Sequence, residues 1–241
     1  CGSGVTQRLD QIKVSLADID AMFLTHLHSD HVIDLYQVII SSWHSYRVKP
    51  WVIYGPIGTK KFVKKIMDAW AEERKQRIKF EARASTQAFK IKVKEFKSSG
   101  NIKIKDLNIT YFEVDHKPVK YAYGFNFINK NKKITISGDT KPCENIMKYG
   151  QKADVLLHEV YIDGELKNTN KMRSKKTLHN VRSYHTPSSL LGKIAKLTRC
   201  KKLVLTHLVP TKFNQKKLKK IIRDDYGKDP IIGHDLLKIK I

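Results

Sequence analysis

Thr25-His26-Leu27-His28-Ser29-Asp30-His31 sets four metal-capable side chains within six positions, directly after the apolar run Ala21-Met22-Phe23-Leu24. The run reads as a buried strand. At a strand's two-residue period His26 and His28 point to the same side, where both imidazoles reach one ion. Asp30 and His31 leave the turn toward a neighbouring position. Neutral imidazole nitrogen with carboxylate oxygen suits a borderline cation, zinc first with manganese or iron as alternatives, and disfavours a thiolate-seeking ion. The whole chain holds ten histidines, so a random surface scatter would rarely put three of them beside an aspartate in so short a span.

Working outward, the 241 residues show no Pro-, Gly- or Ser-rich linker, and the expectation is one domain, 1–241. Hydrophobic residues at 41% and aromatics at 9% suffice for a sizeable core. The apolar stretches are far too short for a bilayer, so a soluble protein with no membrane partner is expected. Cys1, Cys143 and Cys200 are odd in number and widely spaced, which argues against a disulfide framework and a thiolate zinc knuckle and for a reducing, cytoplasmic setting. Cys1-Gly2-Ser3-Gly4 reads like the middle of a fold, so any signal peptide would lie upstream. Lys and Arg total 47 against 23 acids, a net charge of +24 that would concentrate polyanions and favours a phosphate-bearing substrate. The same charge equally fits a Lys-, Ile- and Asn-rich genome with ordinary solvated faces, because charge balance speaks to non-specific attraction rather than to a site.

Strand-like and helix-like runs alternate, an α/β pattern with two sheets. Strands are expected at Trp51–Tyr54, Asn108–Val114, Ala122–Ile128, Lys133–Ser137, Asp154–His158, Lys202–Thr206 and Leu236–Ile241. Helices are expected at His31–Trp43, Ile57–Phe80, Pro187–Leu197 and Asn214–Asp225, with Thr186 capping the third and Pro187 just inside it. In the second helix Phe62, Ile66 and Trp70 form a core stripe, and Lys60, Lys61, Lys64 and Lys65 a solvated face.

Further donors stand where strands end: Asp115-His116, Ser137-Gly138-Asp139-Thr140 and Thr206-His207. A lone histidine there is more often structural than ligating, but strand ends that all finish in His or Asp shift the odds. In order and type these residues resemble the metallo-β-lactamase superfamily, and within it the ribonuclease Z and phosphodiesterase branch. His26, His28, Asp30 and His31 match the H-x-H-x-D-H signature, followed by His116, Asp139 and His207. The resemblance covers most of the chain. It implies an αββα sandwich with a metal pair: His26, His28 and His116 on one ion, Asp30, His31 and His207 on the other, Asp139 bridging. It further implies a dinuclear zinc hydrolase acting on an anionic phosphodiester, RNA being the sharpest version, with a metal-bound hydroxide as nucleophile and Asp30 orienting it or accepting its proton. A homodimer is expected on the same ground.

Two segments resemble ribonuclease Z specifically, His158-Glu159-Val160-Tyr161 and His185-Thr186-Pro187. By that resemblance Glu159 pairs with His185 and keeps it cationic, able to protonate the leaving alkoxide; the alternative is a buried structural hydrogen bond. The segment 167–184 carries Lys167, Lys171, Arg173, Lys175, Lys176 and Arg182, and reads equally as a guide for an anionic substrate or as a solvated loop. Cys143 echoes the family's Asp-Thr-Arg-Pro-Cys, with Lys141 in the arginine position, and is taken as structural. Two departures stand out. The opening strands and Gly-rich loop expected before Cys1-Gly2-Ser3-Gly4 are missing from this chain, so the sheet is expected to lack its first N-terminal strands. Only 22 residues separate His116 from Asp139, where short-form ribonucleases Z carry a long arm that holds the tRNA elbow. Other chemistries of the scaffold are an arylsulfatase, a cyclic nucleotide phosphodiesterase and a lactonase, and outside catalysis a nucleic-acid-binding protein. The proton-donor pair disfavours the lactonase, and the full donor set disfavours the binder.

Overall fold

A computed structural model describes residues 1–166 and 174–241, so Lys167, Lys171 and Arg173 lie outside the described residues. The chain divides into two compact units, Cys1–Lys97 and Ser98–Ile241. Among the described residues no helix is long and apolar enough to cross a membrane.

The first unit runs α1 (Val5–Gln11), β1 (Met22–Phe23), the single-turn α2 (Ser29–Val32), α3 (Leu35–His44), β2 (Trp51–Pro56), α4 (Thr59–Ala69), α5 (Ala71–Glu81) and β3 (Ile91–Phe96). Its three strands pair in parallel in the order β1-β2-β3. The core is built around α3, whose Leu35, Ile39 and Trp43 recur four apart and are buried with Trp51, Ile53 and Val63. Fully burying one such side chain contributes about 1.5–3 kcal/mol.

The expected helix 31–43 is two helices here, interrupted at Ile33 and Asp34, because the Asp34 carboxylate accepts the Gly4 N–H at 2.6 Å while its own N–H donates to Cys1 O. The expected helix 57–80 likewise breaks, at Trp70, between α4 and α5. Its core stripe is displaced by one residue: Val63 and Met67 are buried, Phe62 and Ile66 pack partly, and Trp70 is 48% exposed, its ring stacked on Tyr36 at 5.2 Å. Both phases have the same four-residue spacing, and packing against the sheet chooses between them.

The second unit runs β4 (Gly100–Ile104), β5 (Leu107–Glu113), β6 (Tyr123–Asn129), β7 (Lys132–Ile136), α6 (Glu144–Tyr149), β8 (Val155–Tyr161), α7 (Lys175–Ser183), α8 (Ser188–Thr198), β9 (Lys202–Val209), α9 (Gln215–Tyr226) and β10 (Ile231–Ile232). These strands form one sheet in the order β10-β9-β8-β7-β6-β5-β4, antiparallel from β4 to β7 and parallel from β7 to β10. β5, β7, β8 and β9 therefore all run the same way, and their carboxyl ends lie at one edge of the sheet. The near-continuous burial of β8 fits a parallel strand covered on both faces. α9 is fixed by its N-cap, where Asn214 accepts from Lys217 N, and by the buried row Leu218, Ile222 and Tyr226.

The last expected strand, Leu236–Ile241, is not a strand; the apolar pair Ile231-Ile232 takes the place beside Val204 and Leu205. Pro187 is the N-cap of α8 rather than its first residue, and Thr186 makes other bonds described below.

Candidate metal centre

In the first unit β1 ends two residues before Thr25, and the chain turns at once into α2 with His28 as its N-cap. The tight turn gathers the rings: His26 and His28 centroids lie 4.7 Å apart and His26 and His31 4.2 Å apart. Asp30 Oδ2 is 3.4 Å from His31 Nε2. His26 is buried, with Nδ1 3.1 Å from the Thr25 hydroxyl, whereas His28 and Asp30 are exposed. The loop Cys1–Gly4 packs on this turn, and a Cβ at Gly2 would stand 2.5 Å from the Asp30 carbonyl oxygen. Glycine at position 2 is what lets that backbone approach.

In the second unit the donors hang from the common sheet edge, where ligands bind in open α/β sheets. His116 follows β5, Asp139 follows β7, Glu159 lies near the end of β8 and His207 in β9. His207 Nε2 is 3.3 Å and His116 Nε2 3.9 Å from Asp139 Oδ2. His116 Nδ1 lies 2.8 Å from the carbonyl oxygen of Tyr184. A neutral imidazole that donates Nδ1–H to that carbonyl presents the Nε2 lone pair toward Asp139, the outer bond that ligating histidines generally make. Among the described residues of this unit two groups have donor atoms mutually within 4.8 Å: His116, Asp139 and His185, and Glu159, His185 and His207. Imidazoles and carboxylates converging this closely, with ring orientation fixed from behind, fit a borderline divalent cation.

His185 lies between the other two rings, 5.4 Å from His116 and 5.4 Å from His207 by centroid, and its Nδ1 faces Glu159 Oε2 at 3.3 Å. Glu159 Oε1 accepts the backbone N–H groups of Thr186 at 2.8 Å and Thr140 at 3.2 Å. The Thr186 hydroxyl donates to Thr140 O at 2.7 Å, tying the two loops together. Burial, and secondarily the charge of Asp139, push the Glu159 carboxyl well above the usual carboxylate range, against those two N–H bonds. His158, fully buried with Nδ1 2.7 Å from Glu159 O, is pushed down to about 4 by desolvation and is neutral.

The Tyr184 carbonyl and the N–H groups of Thr140 and Thr186 act through the backbone, which carries no residue signature in a sequence. In the basic segment Arg182 is held by Asp163 at 2.9 Å, while Lys175 and Lys176 are exposed. Lys141 pairs with Asp115 at 3.2 Å.

A family model described as Anti-Pycsar protein Apyc1 matches residues 1–183. A ribonuclease Z of Mycolicibacterium gilvum is 31% identical over 214 residues, covering 88% of this chain and 73% of that protein. The chain belongs to the Apyc1 family and is a ribonuclease Z-like member of the metallo-β-lactamase superfamily. A ribonuclease Z of Mycobacterium bovis is similar to the whole chain, 28% identical over 246 residues and 86% of that protein's length. The metallo-β-lactamase fold protein YhfI from Bacillus subtilis shares the fold with a TM-score of 0.73 at 19% identity, over 98% of this chain and 82% of its own. This Apyc1-family member is thus an α/β protein of the metallo-β-lactamase fold, and a metal-dependent hydrolase resembling ribonuclease Z.

Proposed function

We propose that the protein is a zinc phosphodiesterase, one metallo-β-lactamase domain over 1–241, in which His26, His28, Asp30, His31, His116, Asp139 and His207 hold two ions. The family resemblance supports the joint use of both donor groups, and the imidazole–carboxylate set supports zinc. When bound, the ions polarise the phosphoryl group and make water a stronger nucleophile. Asp30 orients the attacking water and accepts its proton. His185 donates a proton to the leaving oxygen as the phosphorus–oxygen bond breaks, and Glu159 holds the ring in place through Nδ1. The observation that carries this reading is the position of His185, between His116 and His207 with Glu159 behind it. A phosphodiester with an alkoxide leaving group needs such a donor.

The substrate is RNA in the first reading, as the names of the curated relatives and the net charge of +24 suggest. A second reading, a small phosphodiester such as a cyclic nucleotide, is favoured by the β6–β7 connection: Asn129 pairs with Lys132 across a two-residue turn, within the span from His116 to Asp139 where short-form ribonucleases Z carry the tRNA-holding arm. The protein is further proposed to be a cytoplasmic homodimer; its three cysteines are free, as a reducing setting requires, and the dimer rests on the resemblance.

The test compares kcat/KM on a 3′-extended precursor tRNA and on bis(p-nitrophenyl) phosphate, with zinc-loaded and chelated protein. Far more efficient, chelator-sensitive cleavage of the precursor identifies a ribonuclease. Turnover of the small diester alone identifies a small-molecule phosphodiesterase, and turnover of neither rejects both readings.

A further inference from the structure

The outer edge of the first unit's sheet is open, because among the described residues β3 pairs with β2 alone. The register fixes which backbone groups stand there. Trp51 N–H donates to Lys90 O and Trp51 is paired with Ile91, and in a parallel ladder alternate residues bond the same neighbour. Lys90, Lys92 and Lys94 therefore turn their backbone groups to β2, and Ile91, Val93 and Glu95 turn N–H and C=O outward. A strand edge of this kind is a template for another main chain.

Ile91 and Val93 also line an apolar groove of about 720 Å³, with Phe89 before them in the chain and Val63 and Met67 of α4 across from them. Phe89, Ile91 and Val93 are half-buried, so apolar surface is left for an occupant to cover. The walls are fixed by their own bonds. Arg74 Nη1 donates to Met67 O at 2.8 Å with its guanidinium 5.6 Å from the Phe89 ring centroid, and Glu95 Oε1 accepts the N–H groups of Gly58 at 2.9 Å and Lys60 at 2.8 Å.

The groove and the strand are bordered by cations. Exposed Lys60, Lys61 and Lys64 rim the groove from α4, and exposed Lys92 and Lys94 alternate with Ile91 and Val93, on the opposite face of β3. The acids beside them are engaged, Glu95 as described and Asp68 with Lys64 Nζ at 2.5 Å. Like charges directly opposite destabilise a strand pair, so these lysines keep two copies of β3 from pairing edge to edge and favour a strand that brings carboxylates. An acyl chain would fill the groove but offer nothing to the outward N–H and C=O groups.

We propose that this edge binds an extended acidic segment of a partner protein, added to β3 as a further strand, with alternate apolar side chains in the groove and carboxylates against Lys92 and Lys94. In this mode main-chain hydrogen bonds supply affinity and the alternate side chains supply specificity. The inference does not depend on the phosphodiesterase reading.

The test is titration of the purified protein, read by fluorescence anisotropy, with a fluorescein-labelled synthetic peptide Glu-Val-Asp-Ile-Glu-Val-Asp. One control has the same residues with the acids and the apolar residues in separate blocks; the other is the alternating peptide N-methylated at every backbone amide. Wild type is expected to bind the alternating peptide at least about tenfold more tightly than either control, and Lys92→Glu, a change at an exposed position, to weaken that binding about tenfold. In wild type the peptide should slow hydrogen exchange at the amides of Ile91, Val93 and Glu95, which face the open edge, a readout that needs no variant. Equal binding of the three peptides would mean charge attraction alone and overturns the docking site, as does unchanged exchange at those amides. Slowing of the same amides with rising protein concentration and no peptide would give the edge to a second copy, and decanoate binding as tight as the peptide would make the groove an acyl site; either result overturns the proposal.

Discussion

His207 reaches Asp139, Nε2 to Oδ2 at 3.3 Å, from the bulged position of β9: Glu159 pairs with Thr206 and Val160 with Leu208, which sets His207 between them at φ 45°. A non-glycine residue in the left-handed region costs on the order of 1 kcal/mol, and bulges often re-aim a side chain at a functional edge. His207→Gly removes both the strain and the donor. In chelated protein its unfolding free energy from urea titration should match or exceed that of wild type, by up to about 1 kcal/mol, while hydrolysis of bis(p-nitrophenyl) phosphate is lost. A clearly lower midpoint would mean that ring packing outweighs the strain.

The flanking of His185 by His116 and His207 makes its role readable from leaving groups. His185→Ala should slow diesters with alkyl leaving groups by about a hundredfold or more and p-nitrophenyl esters much less, because a good leaving group needs no proton. Glu159→Gln should act in the same direction more weakly, since the amide still meets the N–H groups of Thr140 and Thr186 through its oxygen. Equal slowing of both ester types would remove the general-acid role.

What was legible in the sequence follows the range of the interactions involved. The strands that end in donors were legible because period-two apolar runs and ligand types are local, and the starting edges of β2, β8 and β9 fall within one residue of expectation. The break at Trp70 and the phase of Val63 and Met67 depend on a sheet formed by distant residues, and two helical phases of equal amphipathicity cannot be ranked by periodicity. β10 escaped notice because two residues carry no period. At the site the His and Asp residues that the fold brings close together were visible as residue types, and the proximity of Glu159 to His185 was expected by resemblance. The bulge at His207 and the carbonyl of Tyr184 behind His116 were not, since both are properties of backbone geometry.

Arg47 is a buried cation held without an acid in bonding range among the described residues. Its Nη1 donates to the carbonyls of Leu16, Ala17 and Ile19 and its Nη2 to that of Pro50, at 2.8–3.3 Å, and the guanidinium lies 3.9 Å over the Trp51 ring. These bonds fix the loop that feeds β1, and through it the turn carrying His26. Arg47→Met should cost about 3 kcal/mol in urea unfolding, because four carbonyls lose their donor in a desolvated pocket. Arg47→Lys should recover less than half, as one ammonium cannot reproduce the fork. A loss under about 1 kcal/mol for the methionine variant would show that water replaces the guanidinium.

Asp154 contributes to the acid limb of stability. Its Oδ1 faces Lys201 Nζ at 2.8 Å and its Oδ2 accepts the Lys133 N–H at 2.8 Å, and the lysine first, then the backbone bond, hold its carboxyl below the ordinary value. A carboxyl lowered on folding contributes stability that is complete above its unfolded value, about 3.9, and is lost as pH falls through the folded one. The contribution should therefore be present at neutral pH and fade below about pH 4, not on the alkaline side. Asp154→Asn keeps an acceptor for Lys133 but cannot titrate. Urea midpoints should accordingly differ most between wild type and Asp154→Asn near neutrality and converge as the pH approaches about 2. Parallel curves over that range would mean that Asp154 is no more acidic in the folded protein than in the unfolded chain, and that Lys201 is only a surface neighbour.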